Sequence, residues 1–426
     1  MYPHPTSPST MISSTLVSRR RALLCLALVA VSEAAFLHPT QPVPSHVALN
    51  AKTSNKKKKK PSGSGGGLKG FGAPASKSLG IETDRSKSAR TFYDFLDKGG
   101  ASDNLSRCAL GYFPLGDDMK LRGIVALKDM KKGDVMIRIP YELAVNLGQE
   151  GADPTGPGVA LLRDYCATLG KEGESSTSEK RAYFEMLPPF RGDDCLGTTD
   201  FFSGEALQAM QNPLVVEETI KRREKCFTRF AMDIDDSFPK WIDGTSVTEE
   251  HLRWAVWLIT SRVLTVTGDA EEGNSYRLLI PFLDMCNHDR SSPHVLTGRA
   301  VPGGELKVVA GATVKEGDQI NICYGGGQAG NDRFLQDYGF LDAGRDNTAY
   351  NMVAQQIVGK RRILEGVGAG GLMVKADQER TMEQLRSTTM PQDKKLLEAE
   401  TDPTMRAAYQ YRLGVKMALS KLIMMQ

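Results

Sequence analysis

The chain has 426 residues, 40% apolar and 25% charged, which bounds it to one large globular domain or two to three ordinary ones. Its charge of +3 is uneven: residues 1–80 carry Arg19, Arg20, Arg21 and eight lysines against Glu33 alone, a balance of +10, leaving −7 for residues 81–426. A mildly acidic folded part argues against a nucleic-acid partner, which needs a basic face, and seven cysteines with no two within four residues of each other exclude a paired-cysteine zinc site and make a disulfide framework implausible.

The first 34 residues read as a signal peptide. Arg19 to Arg21 precede the apolar run Ala22 to Val31, which is too short to span a bilayer, and Ser32 and Ala34 stand at the small-residue cleavage positions. No stable membrane insertion of the mature chain is expected. From Ala35 to Gly80 there is no Asp or Glu but much Ser, Pro, Gly and Lys, the composition of a transit peptide. Residues 35–87 are therefore expected to be a disordered linker. Signal peptide, junctional Phe36 and basic acid-free segment together resemble the bipartite leaders of algae with secondary plastids, so the expected location is the plastid. The alternatives are secretion, or a nuclear signal at Lys56 to Lys60.

Order is expected near Thr91, where TFYDFLDKGG reads as a short helix. GIVALKDMKKGDVMIRIP, 123–140, reads as two strands around a KKGD turn, with Val135, Ile137 and Ile139 alternating. From about 150 to 265 the spacing turns helical, with an entry at Thr248. Strands resume at RLLIPFLDM, ELKVVAG and QINICYG, and TVKEGDQINI echoes the first KKGD turn, implying similar hairpin geometry at both. LLIPFLDMCNHD is expected to run as a buried strand through Phe282 and Leu283. Beyond Asp346 the pattern is helical to the end. The fold class is α+β, because the regular strand–helix alternation of a parallel sheet is missing.

Three local signals admit other chemistry. GGGQAG, 325–330, fits G-x-G-x-x-G after a strand and before a helix, which leaves a dinucleotide-dependent oxidoreductase open. Cys286 and His288 could form a thiol–imidazole dyad, though no third orienting group is evident. Asp284, His288 and His294 could meet a metal, but at no recognised spacing, and no metal is expected.

The segments RGIVALKDM with GDVMIRIP, YFEMLPP (183–189), WAVWLITSR (254–262), IPFLDMCNHD and GDQINICYGGGQAGNDRFLQDYGF stand in the order found in SET-domain protein methyltransferases. Over roughly residues 88–343 the chain resembles the class of the Rubisco large-subunit lysine methyltransferases and the actin-histidine methyltransferases. The resemblance implies a SET-type β fold with a pseudoknot over 88–345, a helical insertion at about 150–265, and a C-terminal helical substrate-binding region at 346–426. It implies S-adenosylmethionine as cofactor and a protein lysine as acceptor. It makes Tyr324 and Tyr338 the catalytic tyrosines of the lysine channel. Lys120, Leu121, Arg122, Arg262, Asn287 and His288 would hold the cofactor; Arg262, Asp284, Tyr324 and Tyr338 would meet the substrate. Asp284 would face the channel mouth or brace the knot. At the turn before Gly123 the plant enzyme's acidic residue is Lys120 here, so backbone contacts would carry that part of the site. Tyr338 favours lysine over histidine as the target. Asp346 to Gln426 looks shorter than the family's tail, which keeps open a SET scaffold that binds a partner without turnover.

Overall fold

In the computed structural model, residues 81–114, 120–170, 180–269, 273–344, 346–365 and 368–424 are described. The expected signal peptide and the Lys56 to Lys60 run lie outside them. The ordered chain begins earlier than Thr91. Glu82 and Thr83, expected in the linker, form β1 and pair with β2 (Cys108–Pro114). Helix α1 (Lys87–Leu96) starts where the Ser86 hydroxyl accepts the Ala89 N–H at 3.2 Å, a side-chain cap for an otherwise unpaired donor.

Strand β2 pairs with β3 (Lys120–Ala126), and β3 pairs with β11 (Gln319–Ile322), all antiparallel. β11 then pairs in parallel with the two-residue strand β8 (Asn287–His288). The expected hairpins at the two Gly-Asp turns do not form. After Gly133 the chain leaves this sheet for β4 (Val135–Pro140), which pairs with β10 (Glu305–Val309). After β10 the second turn leads back to β11. Both turns thus carry the chain from one sheet to the other. They are built alike: Gly133 and Gly317 have φ of 92° and 88°, and the carboxylates of Asp134 and Asp318 accept the N–H groups of Lys131 and Lys315 at 2.7 and 2.8 Å. Met130 and Val314 join them through an antiparallel bridge. The sequence echo therefore marks a pair of sheet-to-sheet corners, and positive φ is why each needs glycine.

Strand β9 (Val295–Gly298) completes the second sheet, and a third has the order β5 (Val145–Gln149), β7 (Ser275–Leu279), β6 (Leu264–Thr267). The insertion between β5 and β6 carries α2 (Thr155–Leu169), α3 (Pro213–Asp233) and α4 (Glu249–Arg262), within the expected limits. Thr248 caps α4 as read from the sequence, with the His251 ring accepting the Thr248 N–H at 3.0 Å.

The tail departs from an all-helical reading. After α5 (Thr348–Ile357) comes a hairpin, β12 (Arg362–Glu365) and β13 (Gly368–Leu372), then α6 (Lys375–Arg386), α7 (Met390–Ala399) and α8 (Pro403–Met424). A glycine-rich strand has no periodic apolar signal, which is why sequence spacing missed it. The tail shares a buried cluster with the insertion: Phe202, Leu207, Met210 and Val215 pack with Val353, Ile357, Tyr411 and Leu419. The larger core joins Phe92, Ile124, Met136, Trp254, Leu278 and Phe282. Among the described residues no helix is long and apolar enough to cross a membrane.

Candidate functional site

The segment read as a strand through Phe282 and Leu283 is instead a turn. β7 ends at Leu279, Phe282 stands at φ 70°, and Leu283 to Met285 form one 3₁₀ turn. Positive φ is strained for a bulky residue, by roughly 1–3 kcal/mol. It is held here because the Phe282 ring is fully buried beside Phe92. The apolar run Leu278 to Leu283 satisfies a strand pattern equally well, so only packing distinguishes the two. The turn sends Asp284 inward, exposes the Cys286 carbonyl to a ring from below, and delivers Asn287 and His288 to β11.

Asn287 donates its amide to the Arg122 carbonyl at 2.9 Å. Gly123 makes this approach possible: a Cβ there would fall 2.6 Å from the Asn287 Nδ2 and 2.5 Å from the Gln319 Nε2. His288 accepts the Tyr324 N–H on Nδ1 at 3.0 Å, which in the neutral ring puts the proton on Nε2. Burial lowers its pKa, partly opposed by the Asp342 carboxylate, whose Oδ2 lies 3.8 Å from Nε2. The imidazole is thus kept neutral and packs against Phe334 at 4.7 Å between centroids.

The Tyr324 hydroxyl donates to the Cys286 carbonyl at 2.6 Å, and its ring stacks on Tyr338 at 4.9 Å and 27°. Burial raises the pKa of both phenols, so each stays protonated near neutral pH. Asn287, His288, Tyr324 and Tyr338 come together although they lie up to 51 residues apart in sequence.

Arg262, at the end of α4, donates to the Asp284 carbonyl at 3.0 Å. The Asp284 side chain has no exposed surface and accepts the Tyr183 hydroxyl at 2.8 Å. Burial pushes its pKa up to about 6, against the pull of Arg262, the Tyr183 hydroxyl and Arg122. Of the two placements expected for Asp284, at a channel mouth or as a brace, its buried carboxylate here matches the brace. Arg122 donates to the Met186 carbonyl at 2.7 Å. Leu121 sits opposite Phe113 in the β2–β3 ladder, and Lys120 is an exposed partner of Glu82 at 2.9 Å. Among the buried polar atoms without a hydrogen-bond partner are Arg262 Nε, Asp284 Oδ1 and His288 Nε2. Leaving such an atom unpaired costs about 1–3 kcal/mol, so each has a bond to gain from a bound polar group or a water.

The competing chemistries lose their geometry. Cys286 is fully buried with its thiol pKa pushed well above the usual range, and the His288 Nδ1 is already occupied. His294 accepts the Gly311 N–H at 3.3 Å, and the described residues hold no acid–His–Cys group fit for a metal. Gly325, Gly326 and Gly327 have φ of 57°, 58° and 73°, conformations that explain their identity without a phosphate. Arg290 grips the carbonyls of Gly327 and Ala329 at 2.6 and 2.7 Å, and among the described residues the neighbouring strand β11 belongs to no strand–helix–strand array.

Three residues were missed. Tyr183 was legible only as part of YFEMLPP; its partner lies 101 positions away. Arg290 and Asp342 pair at 2.8 Å beneath His288 and the glycine turn. Their only sequence signal was a charged residue just after each recognised motif.

No family model matches the chain. Over 298 residues it is 23% identical to the ribulose-1,5 bisphosphate carboxylase/oxygenase large subunit N-methyltransferase, chloroplastic, of Pisum sativum, covering 67% of this chain and 58% of that protein. Over 281 residues it is 23% identical to the [fructose-bisphosphate aldolase]-lysine N-methyltransferase, chloroplastic, of Arabidopsis thaliana, covering 63% and 55%. The chain thus spans somewhat more than half the length of these relatives. Among solved structures it is similar to the SET domain of LSMT bound to lysine and AdoHcy, with TM-score 0.53, 19% identity and coverage of 80% and 91%. It is also similar to Rubisco LSMT bound to AdoMet, with TM-score 0.52, 18% identity and the same coverage. The chain has the SET-domain fold, as the motif order implied.

Proposed function

We propose that this SET-fold chain is an S-adenosylmethionine-dependent protein-lysine N-methyltransferase that acts on a plastid protein. The observation that carries the reading is the convergence of Asn287, His288, Tyr324 and Tyr338 on one locus. The cofactor would supply an electrophilic methyl group on a sulfonium. Asn287 would hold its amino-acid end, beside the backbone of Lys120, Leu121 and Arg122. His288 would hold its adenine end. The orphaned Arg262 Nε and His288 Nε2 supply donors for groups of that kind.

In-line transfer needs a neutral amine aimed at the methyl, so positioning does most of the work. Deprotonating a free lysine of pKa about 10.4 at pH 7 costs about 4–5 kcal/mol. A cation nearby and partial desolvation reduce that cost. The Tyr324 hydroxyl, with its proton committed to the Cys286 carbonyl, offers a lone pair to the incoming amine. Tyr338 supplies the stacked wall. Neither phenol is a base, because burial raises both pKa values. In this scheme residues 88–345 form the catalytic domain, Arg262 and Asp284 brace the acceptor side, and the helices of 346–426 bind the acceptor protein.

The acid-free leader and the chloroplastic relatives support the plastid assignment, which fluorescent tagging of residues 1–80 tests. Calorimetry with S-adenosylmethionine tests the cofactor. The reading expects one site per chain, weakened by Asn287→Ala, and fails if no heat of binding is found. Binding without methyl transfer to any extract would favour a non-catalytic partner-binding scaffold.

A further inference from the structure

Tyr338 ends an unusual element. Phe334 to Tyr338 form a single π-turn, closed by Gly339 at φ 84°, and such turns are rare and concentrate at functional sites. The residue before Tyr338 is Asp337, and its carboxylate is bound from the helical insertion. Arg222, on α3, donates to Asp337 Oδ1 at 2.7 Å and to the Gln336 carbonyl at 3.3 Å. The same guanidinium pairs with Asp200 at 2.8 Å, and its side chain is only 18% exposed. Arg333, one turn earlier, pairs with Glu218 of α3 at 2.6 Å and donates to the Leu364 carbonyl of β12 at 2.8 Å. A Cβ at Gly197 would fall 2.5 Å from the Gly339 carbonyl oxygen, so the insertion seats the far end of the turn as well.

We infer that Arg222 is a positioning residue for the acceptor: through Asp337 it holds the π-turn, and so the Tyr338 ring against Tyr324. The helical insertion then does more than flank the domain, because it sets the wall of the acceptor site. The inference rests on the methyltransferase reading for its kinetic consequence but not for its mechanical one. Arg222 pairs with two carboxylates at once, a bidentate task in which lysine is a poor substitute. Misplacing a positioned group by about 1 Å costs up to 10²-fold in rate.

The test uses the full chain and three variants, Arg222→Gln, Arg222→Lys and Asp337→Asn. Hydrogen exchange by mass spectrometry reads protection over residues 334–340. The expected result is a loss of about tenfold or more in Arg222→Gln and Asp337→Asn, with partial retention in Arg222→Lys. Transfer to the acceptor should fall in kcat/KM by about 10- to 100-fold, while affinity for S-adenosylmethionine stays within about twofold. Unchanged protection at 334–340, or cofactor affinity falling in step with acceptor kcat/KM, overturns the inference. Asp337→Asn keeps the Arg222–Asp200 pair, so it carries the test if Arg222→Gln does not fold. A wild-type chain that neither binds the cofactor nor transfers methyl defeats the methyltransferase reading, and the exchange result still decides the mechanical link.

Discussion

The hydroxyl of Tyr324 sits 2.6 Å from the carbonyl oxygen of Cys286, so the second residue after β11 is tied to the residue before β8 beneath a parallel two-strand crossing. The bond fixes the ring and leaves the hydroxyl oxygen free to accept a hydrogen bond. Replacing Tyr324 by Phe should reduce methyl transfer by roughly 10²–10³-fold, the usual effect of removing one preorganised polar group. Stability should fall by only about 1 kcal/mol, and cofactor affinity should hold. Scintillation counting of labelled acceptor, beside a thermal melt, checks both. A variant with wild-type turnover removes Tyr324 from the chemistry.

Gly123 lies where Asn287 and Gln319 converge, and a Cβ there would fall within 2.6 Å of both amide nitrogens. Gly123→Ala must push one of them away, most directly the Asn287 amide from the Arg122 carbonyl. Overpacking of this kind costs about 1–3 kcal/mol. Cofactor affinity should drop by about tenfold, the loss of one such hydrogen bond. Calorimetry on the variant reads it, and unaltered affinity would mean that Asn287 does not touch the cofactor.

Asp284 predicts a pH dependence of stability. Its carboxyl titrates at about 6 in the folded chain, against an ordinary 3.8, so the folded state binds the proton more tightly. The stabilisation from the neutral acid is fully present below about pH 4 and is lost as pH rises to about 6. A difference of this size is on the order of 3 kcal/mol. Asp284→Asn abolishes the titration, so its stability relative to wild type should climb across that window and then level off. Urea unfolding at a series of pH values measures it. A difference that is flat with pH contradicts the assignment.

Some of this site could be read from residue order and some could not. Asn287, His288, Tyr324 and Tyr338 were legible because they sit in motifs of distinctive polarity at the ends of apolar runs. The Phe282 turn was not, since Ile280, Phe282 and Leu283 suit a strand or a packed turn alike. Tyr183, Arg222 and Arg290 act across long loop closures, to Asp284, Asp337 and Asp342, and their pairings exist only once the fold has formed. The two Gly-Asp turns were found, but their strands belong to different sheets, because strand pairing is a tertiary property.

In the tail, Asp393 is fully buried between Arg412 and Lys416, at 2.7 and 2.6 Å. Removing it strands two buried cations. Asp393→Ala should therefore cost about 3–5 kcal/mol, measured by urea unfolding, and should loosen α7 and α8 first in hydrogen exchange. A cost below about 1 kcal/mol would show that the cations find other partners or water.

The central claim is transfer of a methyl group to lysine. The direct measurement incubates the chain with methyl-labelled S-adenosylmethionine and a plastid extract, then identifies the labelled amino acid after acid hydrolysis of the marked protein. The account predicts methylated lysine, absent with Tyr324→Phe. Label on histidine, or no label from a chain that binds no cofactor, would contradict it.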